Sequence, residues 1–316
     1  MRRTIVLGVI VLGGVITSAM LTLQAQGGAA PAGQGRQAGA GGGGGRGPGF
    51  PPVQTIEKVK DNLYLIQGQG GNTAVYVAQT GVVVVDTKLA NNGQAILAQI
   101  KTVTDKPITH IINTHTHGDH TGSNQFFPAS VEVIVQENTK GYMEKMPVFQ
   151  EAANKNGLPD RTFKDKMSVL KGKDEIDLYY FGPAHTGGDA FVEFVALRIM
   201  HVGDTFPNKG LPIMDKINGG SGVQYASTVR KAVAGVKNVD TLINGHTPAQ
   251  TTPADMREFA DYVSDFVAYV QAAKKAGKTA ADVAKEWKNP EKYKGFSAPN
   301  ATAATAYAQV IMDETK

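Results

Sequence analysis

The sequence predicts a layered α/β body over residues 53–316, a class that some schemes file as α+β. Three observations carry that prediction. Short apolar, β-branched runs come early, at 63–69, 73–78 and 82–86. A helical stretch at 93–103 separates them from another apolar run at 108–113. Strands then recur at 131–135, near Leu178, at 191–196 and at 199–202, ahead of a helical C-terminal region. Strands and helices interleaved in this way bury their apolar faces by stacking in layers.

The chain opens with Met1-Arg2-Arg3, a largely apolar run over 4–23, and Gln24-Ala25-Gln26. A basic head, an apolar body and a small-residue exit describe a secretory signal over 1–25, cut after Ala25. The apolar run is also long enough to stay in place as a membrane anchor. The expected location is periplasmic or secreted, or membrane-anchored if the leader stays attached. Residues 26–52 are rich in Gly, Ala and Pro and read as a flexible tether. Arg2, Arg3, Arg36 and Arg46 have no acidic counterpart in the first fifty residues, so they account for the net charge of +4. Residues 51–316 balance at 28 basic against 28 acidic side chains, which gives the folded part no case for nucleic acid. A small molecule is the expected partner. There is no Cys, hence no disulfide, which is compatible with an oxidising exterior.

The first strands culminate in Gly81-Val82-Val83-Val84-Val85-Asp86-Thr87. The run at 108–112 leads into Thr114-His115-Thr116-His117-Gly118-Asp119-His120. Three imidazoles and a carboxylate in six residues would be costly to bury unless something satisfied them, and a divalent transition metal does so. On an extended strand end, His115 and His117 face one side. Gly118 then lets the chain turn, so Asp119 and His120 can aim at a second position. Of seven histidines, two more sit at strand-to-loop junctions: His185 in Ala184-His185-Thr186-Gly187-Gly188-Asp189, and His246 in Asn244-Gly245-His246. Asp204 ends the strand before it, in Gly203-Asp204-Thr205. Loops at strand ends are where α/β folds keep chemistry. His110, inside an apolar run, reads as a core histidine, and His201 as structural.

Downstream, Thr252-Pro253-Ala254-Asp255 reads as a capped helix start, with Phe259, Val263, Phe266, Val267 and Val270 following at helical spacing. Further helices are expected at 280–287 and 301–312. The polar segment 137–166 reads either as a cap over a cleft or as an ordinary surface helix. The Gly- and Pro-rich segment 206–221 follows Asp204 directly and suits a wall or lid. Lys209 and Lys216 are isolated candidates for an anionic group.

The ordered set His-x-His-x-Asp-His, a distant His185, Gly203-Asp204 and Gly245-His246, behind the 81–87 segment, resembles the metallo-β-lactamase superfamily. The resemblance spans about 53–246. It implies a four-layer αββα sandwich with two metal ions at one edge. Carried over residue by residue, it implies that His115, His117 and His185 hold one ion and that Asp119, His120 and His246 hold the other. Asp204 would bridge them, with a hydroxide as the second bridge and Asp119 as the catalytic residue orienting it. Two zinc ions are expected; iron or manganese suits the same ligands. Asp86 would steady the loop of His115 from outside, unless it only ends its strand in a turn. Asp189 stands either as an outer partner of His185 or as a plain turn residue.

The implied reaction is metal-assisted hydrolysis of an ester, lactone, thioester or amide. The lack of Cys excludes the β-lactamase subclass that puts Cys on its second metal. Another subclass has the right second-metal ligands but carries Ser where this chain has Asp204. A bridging Asp resembles glyoxalase II, lactonases and related hydrolases, although Pro207 stands where the acyl-homoserine lactonases carry a Tyr. Two alternatives remain: a β-lactamase acting on β-lactam antibiotics, and a mono-iron persulfide dioxygenase using His115, His117 and Asp204.

Overall fold

The computed structural model describes residues 50–316 apart from 248 and 249. The expected leader, and the expected tether up to residue 49, lie outside the described residues. Strands β1 (Glu57–Lys60), β2 (Leu63–Ile66), β3 (Thr73–Val77) and β4 (Val82–Val85) form an antiparallel meander. Helix α1 (Gly93–Lys101) crosses over to β5 (Ile108–Ile112), which pairs parallel to β4. The short helix α2 (Gly118–Thr121) follows. Parallel strands β6 (Glu132–Gln136) and β7 (Arg161–Phe163) complete a seven-stranded sheet, with α3 (Glu137–Met143) and α4 (Pro147–Gln150) between them.

The second sheet has five strands in the order β12-β11-β10-β9-β8. β8 (Lys166–Val169), β9 (Ile176–Tyr179), β10 (Phe191–Phe194) and β11 (Ile199–Gly203) pair antiparallel. After α5 (Gly222–Gly235), β12 (Thr241–Asn244) lies parallel to β11. Helices α6 (Pro253–Lys275), α7 (Ala280–Glu286) and α8 (Ala301–Glu314) end the chain. Thr252 and Asp255 cap α6 reciprocally, which fixes where it starts.

β4 shows why the layers form. All four of its valines are buried. Val83 and Val85 face the core between the sheets, with Leu63, Tyr76, Ile112, Leu178, Val192 and Phe194. Val82 and Val84 face the opposite way, onto Ile96 and Ile100 of α1. Covering each such side chain contributes about 1.5–3 kcal/mol, so both faces of the strand demand cover. On the far side of the second sheet, Phe191, Met200, Val202 and Leu242 pack under Tyr225, Val229, Phe259, Val263 and Phe266 of α5 and α6. The four layers are therefore α1, the seven-stranded sheet, the five-stranded sheet and the α5–α8 group, an αββα sandwich. Among the described residues no helix is long and apolar enough to cross a membrane.

The pattern of layers leaves β4, β5, β11 and β12 ending at one edge, so that Asp86, residues 113–120, Asp204 and His246 converge there. Several elements differ from the sequence expectation, β1 and α2 among them. β7, β8 and α5 were not foreseen, and 137–166 is not one surface helix. It breaks into α3, α4 and a 3-10 turn at Ala152–Gly157.

Candidate metal centre

The ligand atoms of His115, His117, His185 and Asp204 lie within 4.8 Å of one another, and those of Asp119, His120 and His246 form a second group to the same limit. Asp204 joins them. Its Oδ1 is 3.3 Å from His120 Nε2 and 3.1 Å from His246 Nε2, while Oδ2 is 3.7 Å from His185 Nε2. Asp119 Oδ2 stands 3.3 Å from His246 Nε2 and 3.5 Å from His120 Nε2. All seven residues expected to hold metal meet at this edge.

Hydrogen bonds behind the rings decide which nitrogen each presents. His115 Nδ1 donates to Thr114 Oγ1 at 3.0 Å, and that hydroxyl donates to Asp86 Oδ2 at 2.7 Å. Among the described residues, His115 Nε2 is left buried with no hydrogen-bond partner. A buried nitrogen without a partner is costly, and a metal ion is the partner its neighbours fit. Asp86 Oδ1 also accepts from Thr114 N (2.8 Å), and Oδ2 accepts from His120 Nδ1 (2.7 Å). One buried carboxylate thus pins the loop and orients a ring of each group. His185 Nδ1 donates to Ile213 O at 2.9 Å, turning Nε2 inward to within 2.9 Å of His117 Nδ1.

Electrostatics separate the two groups. Burial and the surrounding imidazoles hold His115 well below the usual histidine range, and burial beside His117 brings His185 down to about 4. Both are neutral and offer lone pairs. Burial opposes charge on His120 and His246 too, but Asp119 and Asp204 outweigh it and raise both. Burial disfavours the charge of Asp204, yet His246 and His120 hold its carboxyl well below the ordinary range. The second group is the more acidic surrounding, suited to a cation.

Several local expectations are corrected. β5 ends at Ile112, so strand alternation does not aim His115 and His117; an irregular loop tied to Asp86 does. Gly118 is not needed for a free turn. A Cβ there would meet only Met146 Cε at 3.7 Å, and the turn is made by α2. Asp189 does not touch the His185 ring. It accepts from Thr186 N and Oγ1 and so pins the turn that carries His185, while burial raises its carboxyl to about 7. His110 is half-buried, not core, against Thr109 and Glu132. His201, by contrast, keeps the structural place expected of it, buried between Asn72 O and Gly203 N. Lys209 pairs with Asp255 and Glu258, and Lys216 with Asp313, so neither is an isolated cation.

Two residues were missed. Asp215 Oδ2 lies 2.7 Å from His117 Nε2, and the bonds from His117 and Asn218 hold its carboxyl at about 2 although burial opposes the charge. Lys88 is fully buried and donates to Ile66 O (2.8 Å) and Gly71 O (2.9 Å), with burial lowering its ammonium to about 7. The loop so held passes over His120: a Cβ on Gly71 would lie 2.2 Å from His120 Cε1.

The metallo-beta-lactamase superfamily pattern matches residues 66–252. The chain belongs to that superfamily and is a metal-dependent hydrolase of it. It is 26% identical over 234 residues to the metallo-beta-lactamase type 2 of Elizabethkingia meningoseptica, covering 68% of this chain and 87% of that one. It is 29% identical over 165 residues to the 2,4-dinitroanisole O-demethylase subunit alpha of Nocardioides sp. (strain JS1661), 50% of this chain and 48% of the relative. Among solved structures, the DIM-1 metallo-beta-lactamase superposes with a TM-score of 0.57 at 18% identity, over 68% of this chain and 99% of that chain. The sec-alkylsulfatase Pisa1 from Pseudomonas sp. gives a TM-score of 0.66 at 14% identity, over 82% and 50%.

Proposed function

We propose that this metallo-β-lactamase superfamily hydrolase is an exported, dinuclear zinc enzyme that cleaves an ester, lactone, thioester or amide bond in a small molecule. One observation carries the reading: Asp204 lies between two ligand groups, Oδ1 3.3 Å from His120 Nε2 and 3.1 Å from His246 Nε2, and Oδ2 3.2 Å from His246 Nε2 and 3.7 Å from His185 Nε2. His115, His117 and His185 would hold one ion, and Asp119, His120 and His246 the other. Two divalent ions there supply, when bound, a water deprotonated near neutral pH and polarise the attacked carbonyl. Asp119 Oδ2 sits 3.5 Å from His120 Nε2 and 3.3 Å from His246 Nε2, with its side chain 9% exposed. There it would orient the attacking water. Asp86 and Asp215 keep the imidazoles aimed, so little reorganisation is needed. Export, to the periplasm or beyond, rests on the apolar leader at 4–23.

A β-lactamase is the second reading, favoured by the 26%-identical relative of that name and opposed by Asp204. A mono-iron dioxygenase is less well supported, because a second complete ligand group stands beside the first. The test is turnover of a chromogenic cephalosporin and of a panel of lactones, esters and thioesters by the zinc-loaded protein, with a chelator control. Chelator-sensitive hydrolysis within the ester-type panel is expected. Efficient cephalosporin turnover alone would move the assignment to β-lactamase.

A further inference from the structure

Apolar residues from three separate segments lie close to the ligand residues. Phe50 stacks on the His246 ring, with centroids 5.9 Å apart and planes at 21°. Its segment is fixed by two main-chain bonds, Gln69 N to Pro51 O at 2.8 Å and Gln54 N to Gln67 O at 2.9 Å, and by the Gln69 side chain, whose Nε2 donates to Phe50 O at 3.0 Å. Gly68 lets that segment lie close, since a Cβ there would fall 2.0 Å from Pro52 O. Phe50, expected to belong to the tether, is therefore held as a wall beside the second ligand group. Met146, at the start of α4, packs on the metal loop: its Sδ is 3.7 Å from Thr116 Oγ1 and its Cε touches the Gly118 position. Ile217 follows Asp215 by two residues, gives its N–H to the same carboxylate that grips His117, and is 73% exposed.

Of the cations around the centre, exposed Lys145 adjoins Met146 and lies 5.8 Å over the Tyr142 ring. Lys88 is buried and spent on two carbonyls, and Lys209 and Lys216 are in ion pairs. Aromatic and aliphatic surface beside a metal centre offers cover for the apolar part of a ligand.

We propose that Phe50, Met146 and Ile217 form an apolar rim that selects substrates bearing a hydrophobic acyl or aryl group next to the scissile bond, with Phe50 and Ile217 as specificity-determining residues. This rests on the metal-hydrolase reading above and names its substrate class. The rim covers the hydrophobic arm while the ligand groups engage the carbonyl end, so affinity grows with the arm.

The test uses straight-chain hydroxamic acids, from acetohydroxamic to octanohydroxamic acid, titrated calorimetrically into the zinc-loaded full chain. The hydroxamate head chelates metal and the tail reads the rim, with no turnover required. Affinity is expected to rise about two- to fourfold per methylene over the first few carbons. In Phe50→Ala and Ile217→Ser the rise flattens, so the loss is smallest for acetohydroxamic acid and reaches tenfold or more for the octanoyl compound. A p-nitrophenyl ester series read as kcat/KM should follow the same trend. Affinity independent of tail length, or a slope unaltered in both variants, would overturn the rim. Failure of acetohydroxamic acid itself to bind would overturn the metal reading, and the rim with it.

Discussion

Asp215 Oδ2 lies 2.7 Å from His117 Nε2, and this bond leaves His117 Nδ1 as the nitrogen facing His185 Nε2, 2.9 Å away. Asp215 N also donates to His185 O at 2.9 Å, so one residue of the 206–221 loop holds two ligands of the first group. Loss of such a carboxylate behind a metal-bound imidazole typically weakens metal binding by about 10–100-fold. Asp215→Asn should show that loss at the first site in competition with a calibrated chelator, with the fold intact by circular dichroism.

Asp86 is a stability prediction as well as a metal one. It accepts from Thr114 N, Thr114 Oγ1 and His120 Nδ1, all buried. Each buried donor left unsatisfied costs about 1–3 kcal/mol. Asp86→Ala should lower the urea-unfolding free energy of the zinc-free protein by about 3–5 kcal/mol. A loss under about 1 kcal/mol would mean that Asp86 only ends its strand.

Gly71 has no room for a side chain. A Cβ would press on the His120 ring at 2.2 Å, and the loop cannot retreat, because Gly71 O accepts from Lys88 and Gly71 N donates to Asp119 O at 2.9 Å. Gly71→Ala should tilt His120 and empty the second site first, seen as one zinc per chain by elemental analysis.

Lys88 gives a pH signature. Its ammonium sits at about 7 in the folded protein against 10.5 when exposed, chiefly through burial. Between those values the unfolded chain binds the proton that the folded chain does not, so this group makes stability rise with pH across that window. Below 7 the cost of burying the charge is present in full; above 10.5 it is gone. Urea unfolding of zinc-free protein at pH 7 and pH 9 should therefore show a gain in wild type that exceeds the gain in Lys88→Met by about 2 kcal/mol.

The metal residues were legible because they announce themselves locally. With seven histidines in 316 residues, three in one loop behind an apolar strand carry a signal that needs no neighbours. β4 was equally plain, since four valines in a row read as a strand covered on both faces. β8 escaped because it is a sheet-edge strand with only Val169 buried, and Arg161–Phe163 of β7 is too short to show a period. α5 buries mainly small residues (Gly222, Ala226, Thr228, Ala232), so few large apolar side chains mark its inner face. Asp215 and Lys88 act across the fold, on His117 98 positions away and on Ile66 22 positions away. Only the tertiary structure brings those pairs together, so no local pattern marks them.

The most direct measurement is the zinc content of chelator-stripped, reconstituted protein beside His246→Ala and His115→Ala variants. The account predicts two ions per chain in the wild type and one in each variant, with His115→Ala losing the ion of the first group and His246→Ala the ion of the second. One ion per chain in the wild type, unchanged in His246→Ala, would contradict the dinuclear centre. If that ion were iron and supported oxygen uptake with a persulfide, the enzyme would be a dioxygenase instead.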